Sequence, residues 1–160
     1  MDKKNTDLCQ KARDYAFLLL KFRLRSEKEL YQRLKRKKFA EEIIRETILF
    51  LKDKGFIDDK SFTKTWIESR LKRPLGLRRI RQELNLKGVD KETIDSQIIE
   101  AKNNYCEEDI VRKVAQERLG YLKGIEPSVA KRRLYSYLLR RGFSPEIVVD
   151  AITQLCKHTS

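Results

Sequence analysis

The stretch Asp58–Val89, DDKSFTKTWIESRLKRPLGLRRIRQELNLKGV, decides the fold class of this chain. Asp58 and Asp59 follow a turn at Gly55 and offer side-chain acceptors to a helix start. Phe62, Trp66 and Ile67 then recur at helical spacing and form one apolar stripe. Pro74 and Gly76 break that pattern. A second helix follows, with Leu77, Ile80 and Leu84 on one face and Arg78, Arg81 and Asn85 on the other, until Gly88 stops it. A third starts at Asp90. The product is a unit of three short helices whose middle helix turns arginines outward. Within it, Trp66 shares the stripe of Phe62 and is expected in the core rather than stacked on a base. The Asp58–Asp59 pair reads as a cap, because adjacent side chains point apart and make a poor catalytic couple.

On the N-terminal side, Leu8, Ala12, Tyr15, Leu19 and Phe22 recur at the three-and-four spacing of a buried helical stripe. Ser26 and Glu29 form a capping box that opens a second helix, with Leu30 and Leu34 inward. A third runs through Ile43, Ile44, Ile48 and Leu51 and stops at Gly55, with Glu41 and Glu42 in its dipole-favoured first turn. On the C-terminal side a unit starts near Glu107, and Ser144 with Pro145 opens the last helix. The units superpose. Leu30, Leu34, Phe39, Ile44 and Ile48 moved on by 50 positions become Ile80, Leu84, Val89, Ile94 and Ile98, and by a further 54 become Leu134, Leu138, Phe143, Val148 and Ile152. All are hydrophobic, so we read three tandem three-helix repeats, 7–56, 57–105 and 106–157, in an all-α, elongated and curved molecule. Gly88 and Gly142 occupy one repeat position, where a left-handed residue is wanted. The first repeat has Lys38 there, at a cost of about 1 kcal/mol if the turn is kept.

Thirty-seven Lys and Arg against 24 Asp and Glu give a formal charge of +13, which favours a polyanionic partner or an acidic protein surface. The cations concentrate on the second helix of each repeat. Helix-dipole complementarity explains acids in a first turn but not cations along a whole helix. Cys9, Cys106 and Cys156 are odd in number and far apart, as free thiols in a reducing compartment would be. With His158 the only histidine, no metal site and no histidine-based catalytic site can be assembled. The glycines at 76, 88, 120 and 124 make neither a P-loop nor a dinucleotide fingerprint, so no cofactor and no enzyme activity are expected. The segment MDKKNTD lacks an apolar signal-peptide core and no apolar run reaches bilayer length, so a cytoplasmic protein without membrane association is expected.

Asp58-Asp59, Phe62, Trp66, Arg70, Gly76, Arg79-Ile80, Glu83-Leu84 and Lys87-Gly88-Val89 together resemble the signature of the RecX family of recombinase regulators. YAFLLLKFRLRSEKELYQRLKRKKF resembles that family's first repeat and RRLYSYLLRRGFSPEIV its last, so the likeness covers nearly the whole chain. The resemblance implies a modulator that lies along the groove of the RecA nucleoprotein filament and mostly inhibits RecA ATPase, strand exchange and co-protease activity in recombination and DNA repair. A monomer that also contacts single- or double-stranded DNA non-specifically is expected. The cations expected to face filament or DNA begin with Arg33 and Arg36 in the first repeat. Arg70, Lys72, Arg73, Arg78, Arg79, Arg81 and Lys87 follow in the second, with Arg70 open to a structural ion pair with Asp58 or Asp59. Lys131, Arg132, Arg140 and Arg141 complete the set in the third. The alternatives are a plain DNA-binding protein with helix-turn-helix-like repeats, using phosphate contacts since only Gln82 and Asn85 are offered for base readout, and an adaptor for an acidic protein.

Overall fold

A computed structural model describes residues 3–157 of the chain. Among the described residues there are nine helices and no strand: α1 (Lys3–Phe22), α2 (Glu27–Arg36), α3 (Glu41–Asp53), α4 (Asp59–Leu71), α5 (Leu77–Leu86), α6 (Lys91–Lys102), α7 (Glu107–Gly120), α8 (Pro127–Arg140) and α9 (Pro145–Lys157). The capping box predicted at Ser26 and Glu29 is present, and Asp58 accepts from the N–H groups of Lys60 and Ser61 at 3.0 and 3.1 Å.

The predicted repeat is visible in the backbone. Lys38, Gly88 and Gly142 all lie in the left-handed region, at φ 64°, 78° and 90°. After each, the next N–H reaches back to the helix it leaves: Phe39 to Leu34 O at 3.4 Å, Val89 to Leu84 O at 3.3 Å, Phe143 to Leu138 O at 3.4 Å. These are three copies of one helix-ending motif. The fifteen repeat positions are buried except Phe39, which is half-buried.

The chain forms two compact units. The first comprises Met1–Thr65 with Leu84–Ile94, and the second Trp66–Glu83 with Asp95–Ser160, so the middle repeat is divided between them. In the first unit Ala12, Ala16, Leu30, Leu34, Ile44, Ile48 and Leu51 make the core. The stripe of α1 differs from the expected one: Cys9, Ala12 and Ala16 are buried, while Leu8 is 37% and Phe22 76% exposed. Small side chains face inward because α1 packs on both α2 and α3, and short side chains let three helices approach. In the second unit Val111, Ala115, Leu134, Leu138, Phe143, Val148 and Ile152 form the core beneath α7, α8 and α9.

Each unit also contains a joint built to one plan. In the first, Asp59, at the start of α4, accepts from the N–H of Glu27 at 2.9 Å, and the Ser26 hydroxyl donates to Lys87 O at 2.7 Å. In the second, Glu107, at the start of α7, accepts from the N–H of Leu77 at 2.9 Å, and the N–H of Gly76 donates to Arg141 O at 3.0 Å. In both, the first residue of one helix caps the N-terminus of an earlier one, and the left-handed turn lies against that same N-terminus. The approach is close. A Cβ on Gly76 would stand 2.1 Å from the Gly142 backbone, and one on Gly88 would stand 2.3 Å from the Lys28 side chain.

Candidate nucleic-acid interface

The fold sorts the predicted cations into those it holds and those it leaves open. Arg70 is held: its Nε donates to Glu83 at 2.6 Å and its guanidinium lies 4.3 Å from the centre of the Trp66 ring. Its acidic partner is thus Glu83, and not Asp58 or Asp59 as the sequence suggested. Trp66 is half-buried rather than enclosed, with its indole N–H on Glu83 at 3.2 Å. Arg79 donates to the same carboxylate and to Arg140 O, each at 3.4 Å. Arg81 pairs with Asp95. The Arg141 guanidinium donates to Pro74 O at 3.3 Å and lies over Tyr137.

Lys87 is held most firmly. Its ammonium lies 2.7 Å from Glu29, and the two side chains are 18% and 17% exposed. Burial raises the affinity of the Glu29 carboxyl for its proton, but hydrogen bonds from Arg23 and Lys87 outweigh that and hold it down at about 2. Glu107 and Asp59 shift the other way. Burial raises both, and one backbone N–H each does not compensate.

The open set is different in kind. Arg33 and Arg36 on α2, Lys72 and Arg73 after α4, Arg78 on α5, and Lys131, Arg132 and Arg140 on α8 are exposed, and among the described residues none pairs with a carboxylate. In the second unit the fold also gathers Arg118, Arg132, Arg133, Ser136, Tyr137 and Arg140 around one cleft of about 410 Å³. Sequence reasoning did not select Arg118, and it placed Arg133 on a basic second helix without assigning it to the interface. Arg118 belongs to α7, and only the packing of α7 on α8 brings its guanidinium 4.8 Å from the centre of the Tyr137 ring. Nothing in the local sequence announces that pairing.

Among the described residues no helix is long and apolar enough to cross a membrane, and no group of His, Cys, Asp and Glu is arranged to hold a metal ion. Chemically, the surface offers fixed guanidinium and ammonium groups, which suits recognition of phosphate.

Three family models match in succession: the first three-helix domain of RecX over residues 12–56, the second over 58–96 and the third over 107–152. The regulatory protein RecX of Amycolatopsis mediterranei is 34% identical over 147 residues, covering 91% of this chain and 83% of that one. That of Chlorobium limicola is 35% identical over 143 residues, covering 88% and 87%. The crystal structure of RecX from Lactobacillus salivarius superposes with a TM-score of 0.80 over 94% of this chain and 97% of that one at 23% identity, a likeness of fold. With its three repeats matched in succession and about nine-tenths of its length covered in this way, the chain belongs to the RecX family of regulatory proteins.

Proposed function

We propose that this chain acts in the cytoplasm as a monomer that binds the RecA nucleoprotein filament along its groove and restrains ATP turnover, strand exchange and co-protease activity. The observation that carries this reading is the open set of cations on α2, α5 and α8, which the fold neither buries nor neutralises. A filament groove presents DNA phosphate beside protein, and repeats joined in one chain meet it at high effective concentration, so weak contacts sum to useful affinity.

A regulator without a nucleotide site changes its target only by binding some of the target's states better than others. Inhibition then equals differential affinity. The test is to add the protein to fully assembled filaments, with free recombinase removed, and follow ATP hydrolysis at once. A prompt fall that saturates well below one regulator per recombinase is expected from groove binding, and it should weaken steeply as salt rises from about 50 to 200 mM. A lag matching filament disassembly would sink groove binding in favour of end-capping. Equal affinity for bare DNA and for filament would leave the plain DNA-binding reading, which the same exposed arginines favour.

A further inference from the structure

We propose that the cleft between α7 and α8 is a binding site for the phosphate backbone of single-stranded nucleic acid, with Arg118, Arg132, Arg133 and Arg140 as its cationic walls. The proposal rests on the filament-binding reading and deepens it. It names one surface of the second unit and the polymer that surface takes, and it adds Arg118 and Arg133 to the cations already assigned.

Four guanidinium groups line this cleft of about 410 Å³, and the lining contains no carboxylate. Several arginines elsewhere in the second unit are neutralised, Arg70 and Arg79 by Glu83, Arg81 by Asp95 and Arg112 by Asp109. Among the described residues none of the four in the cleft is paired in that way. Cations gathered around one cleft without a carboxylate repel one another, and a line of anionic charge relieves that repulsion.

The register of α8 indicates a chain-like anion. Arg132, Ser136 and Arg140 stand at successive four-residue steps along one face, so the outer two arginines are separated by about 12 Å of helix rise. A single phosphate cannot meet both with each side chain extended straight out from the helix. Successive phosphates of one strand can, with the Ser136 hydroxyl available as a neutral donor between them.

The fourth arginine is fixed by the ring beside it. Arg118 lies 4.8 Å and Arg141 5.1 Å from the centre of Tyr137, so this tyrosine is engaged with cations and positions Arg118 rather than stacking a base. The site therefore reads charge and spacing and not sequence. A single strand fits better than an acidic protein face, because a strand carries one charge per nucleotide without interspersed cations.

The experiment measures binding of a fluorescein-labelled oligo(dT) to the full chain by anisotropy across a salt series. R118E/R133E should lose about thirtyfold or more at 100 mM salt. Its plot of log affinity against log salt should flatten by about 1.4, the contribution of roughly two phosphates. A double variant with the same charge change outside the cleft, K21E/K91E, should lose less than threefold. R132E/R140E replaces two exposed side chains and serves if R118E/R133E proves unstable by circular dichroism. Equal losses in cleft and control variants would overturn the site. Competition by inorganic triphosphate as effective as by unlabelled oligo(dT) would make it a free-phosphate site, and competition by polyglutamate would make it a protein-docking site; either overturns the assignment. Recombinase ATPase measured in parallel separates the two readings. Inhibition by the wild type with oligo(dT) affinity unchanged in the cleft variants rejects the cleft alone. Loss of oligo(dT) affinity in those variants, with a wild type inert on filaments, rejects filament regulation alone.

Discussion

Gly76 shows how little room one joint leaves for a single β-carbon. A Cβ there would stand 2.1 Å from both the carbonyl carbon and the oxygen of Gly142, and one on Gly142 would stand 2.2 Å from the Cβ of Arg79. Backbone cannot yield as a flexible side chain can, so Gly76→Ala should cost on the order of 3 kcal/mol or more, as overpacking of a closely packed site does. Gly120 has nothing within 4 Å of its added Cβ, and Gly120→Ala should be neutral or stabilise by up to about 1 kcal/mol. Urea denaturation of the two variants side by side checks the contrast. Lys38 makes the complementary point. It shares the left-handed turn of Gly88 and Gly142 but is exposed, so backbone strain rather than crowding is the main cost of its side chain. Lys38→Gly should stabilise by about 1 kcal/mol in the same assay. Gly88→Lys should destabilise by more than that, because its Cβ would also strike Lys28.

At the scale of helices, the two joints carry carboxylates of opposite acid response. Glu29 is held at about 2 against an ordinary 4.5, so its contribution is complete above about pH 4.5 and is lost as the pH falls towards 2. Glu29→Gln should therefore destabilise by about 2 to 3 kcal/mol at pH 7 and make almost no difference at pH 2. Glu107 and Asp59 bind their protons more tightly in the folded state, so their contribution is present at acid pH and is lost as the pH rises through their raised values. Glu107→Gln keeps an oxygen to accept from Leu77 N–H while removing a buried charge. It should be better tolerated at pH 7 than at pH 3, a reversal of the Glu29→Gln pattern that unfolding curves at the two pH values would display. Tyr105 lies beside the same joint, donates to Leu75 O at 2.8 Å and is pushed up to about 12, first by burial and then by the Glu107 charge, so it stays a donor throughout this range.

For the molecule as a whole, each unit has its own core, and the cores should respond separately. Leu34 and Leu138 hold equivalent repeat positions at 0% exposure, one in each unit. Either changed to Ala should cost about 2 to 5 kcal/mol. Hydrogen exchange should show Leu34→Ala loosening the amides of α2 and α3 while those of α8 and α9 keep their protection, with the converse for Leu138→Ala. If either substitution loosened all four helices equally, the two units would be one cooperative body.

The helices, their starts and stops, and the threefold repeat were legible in the sequence because each depends on neighbours in the chain. The apolar period of Leu30, Leu34, Ile44 and Ile48, the Ser26–Glu29 box and the left-handed position shared by Lys38, Gly88 and Gly142 are all set within a few residues. The signature around Asp58–Val89 also pointed to the family that the comparisons establish. What a charged side chain faces is another matter, since its partner is chosen across the fold. Lys87 finds Glu29 fifty-eight residues away, Arg70 finds Glu83 rather than Asp58 or Asp59, and Arg118 reaches Tyr137 only through the packing of α7 on α8. The phase of α1 was decided in the same way. Local period allowed Leu8 and Phe22 as readily as Cys9 and Ala16, and the need for α2 and α3 to approach closely selected the small residues. Composition gave the amount of positive charge, but tertiary structure alone decided how much of it is spent inside the protein and how much stands free for a polyanion.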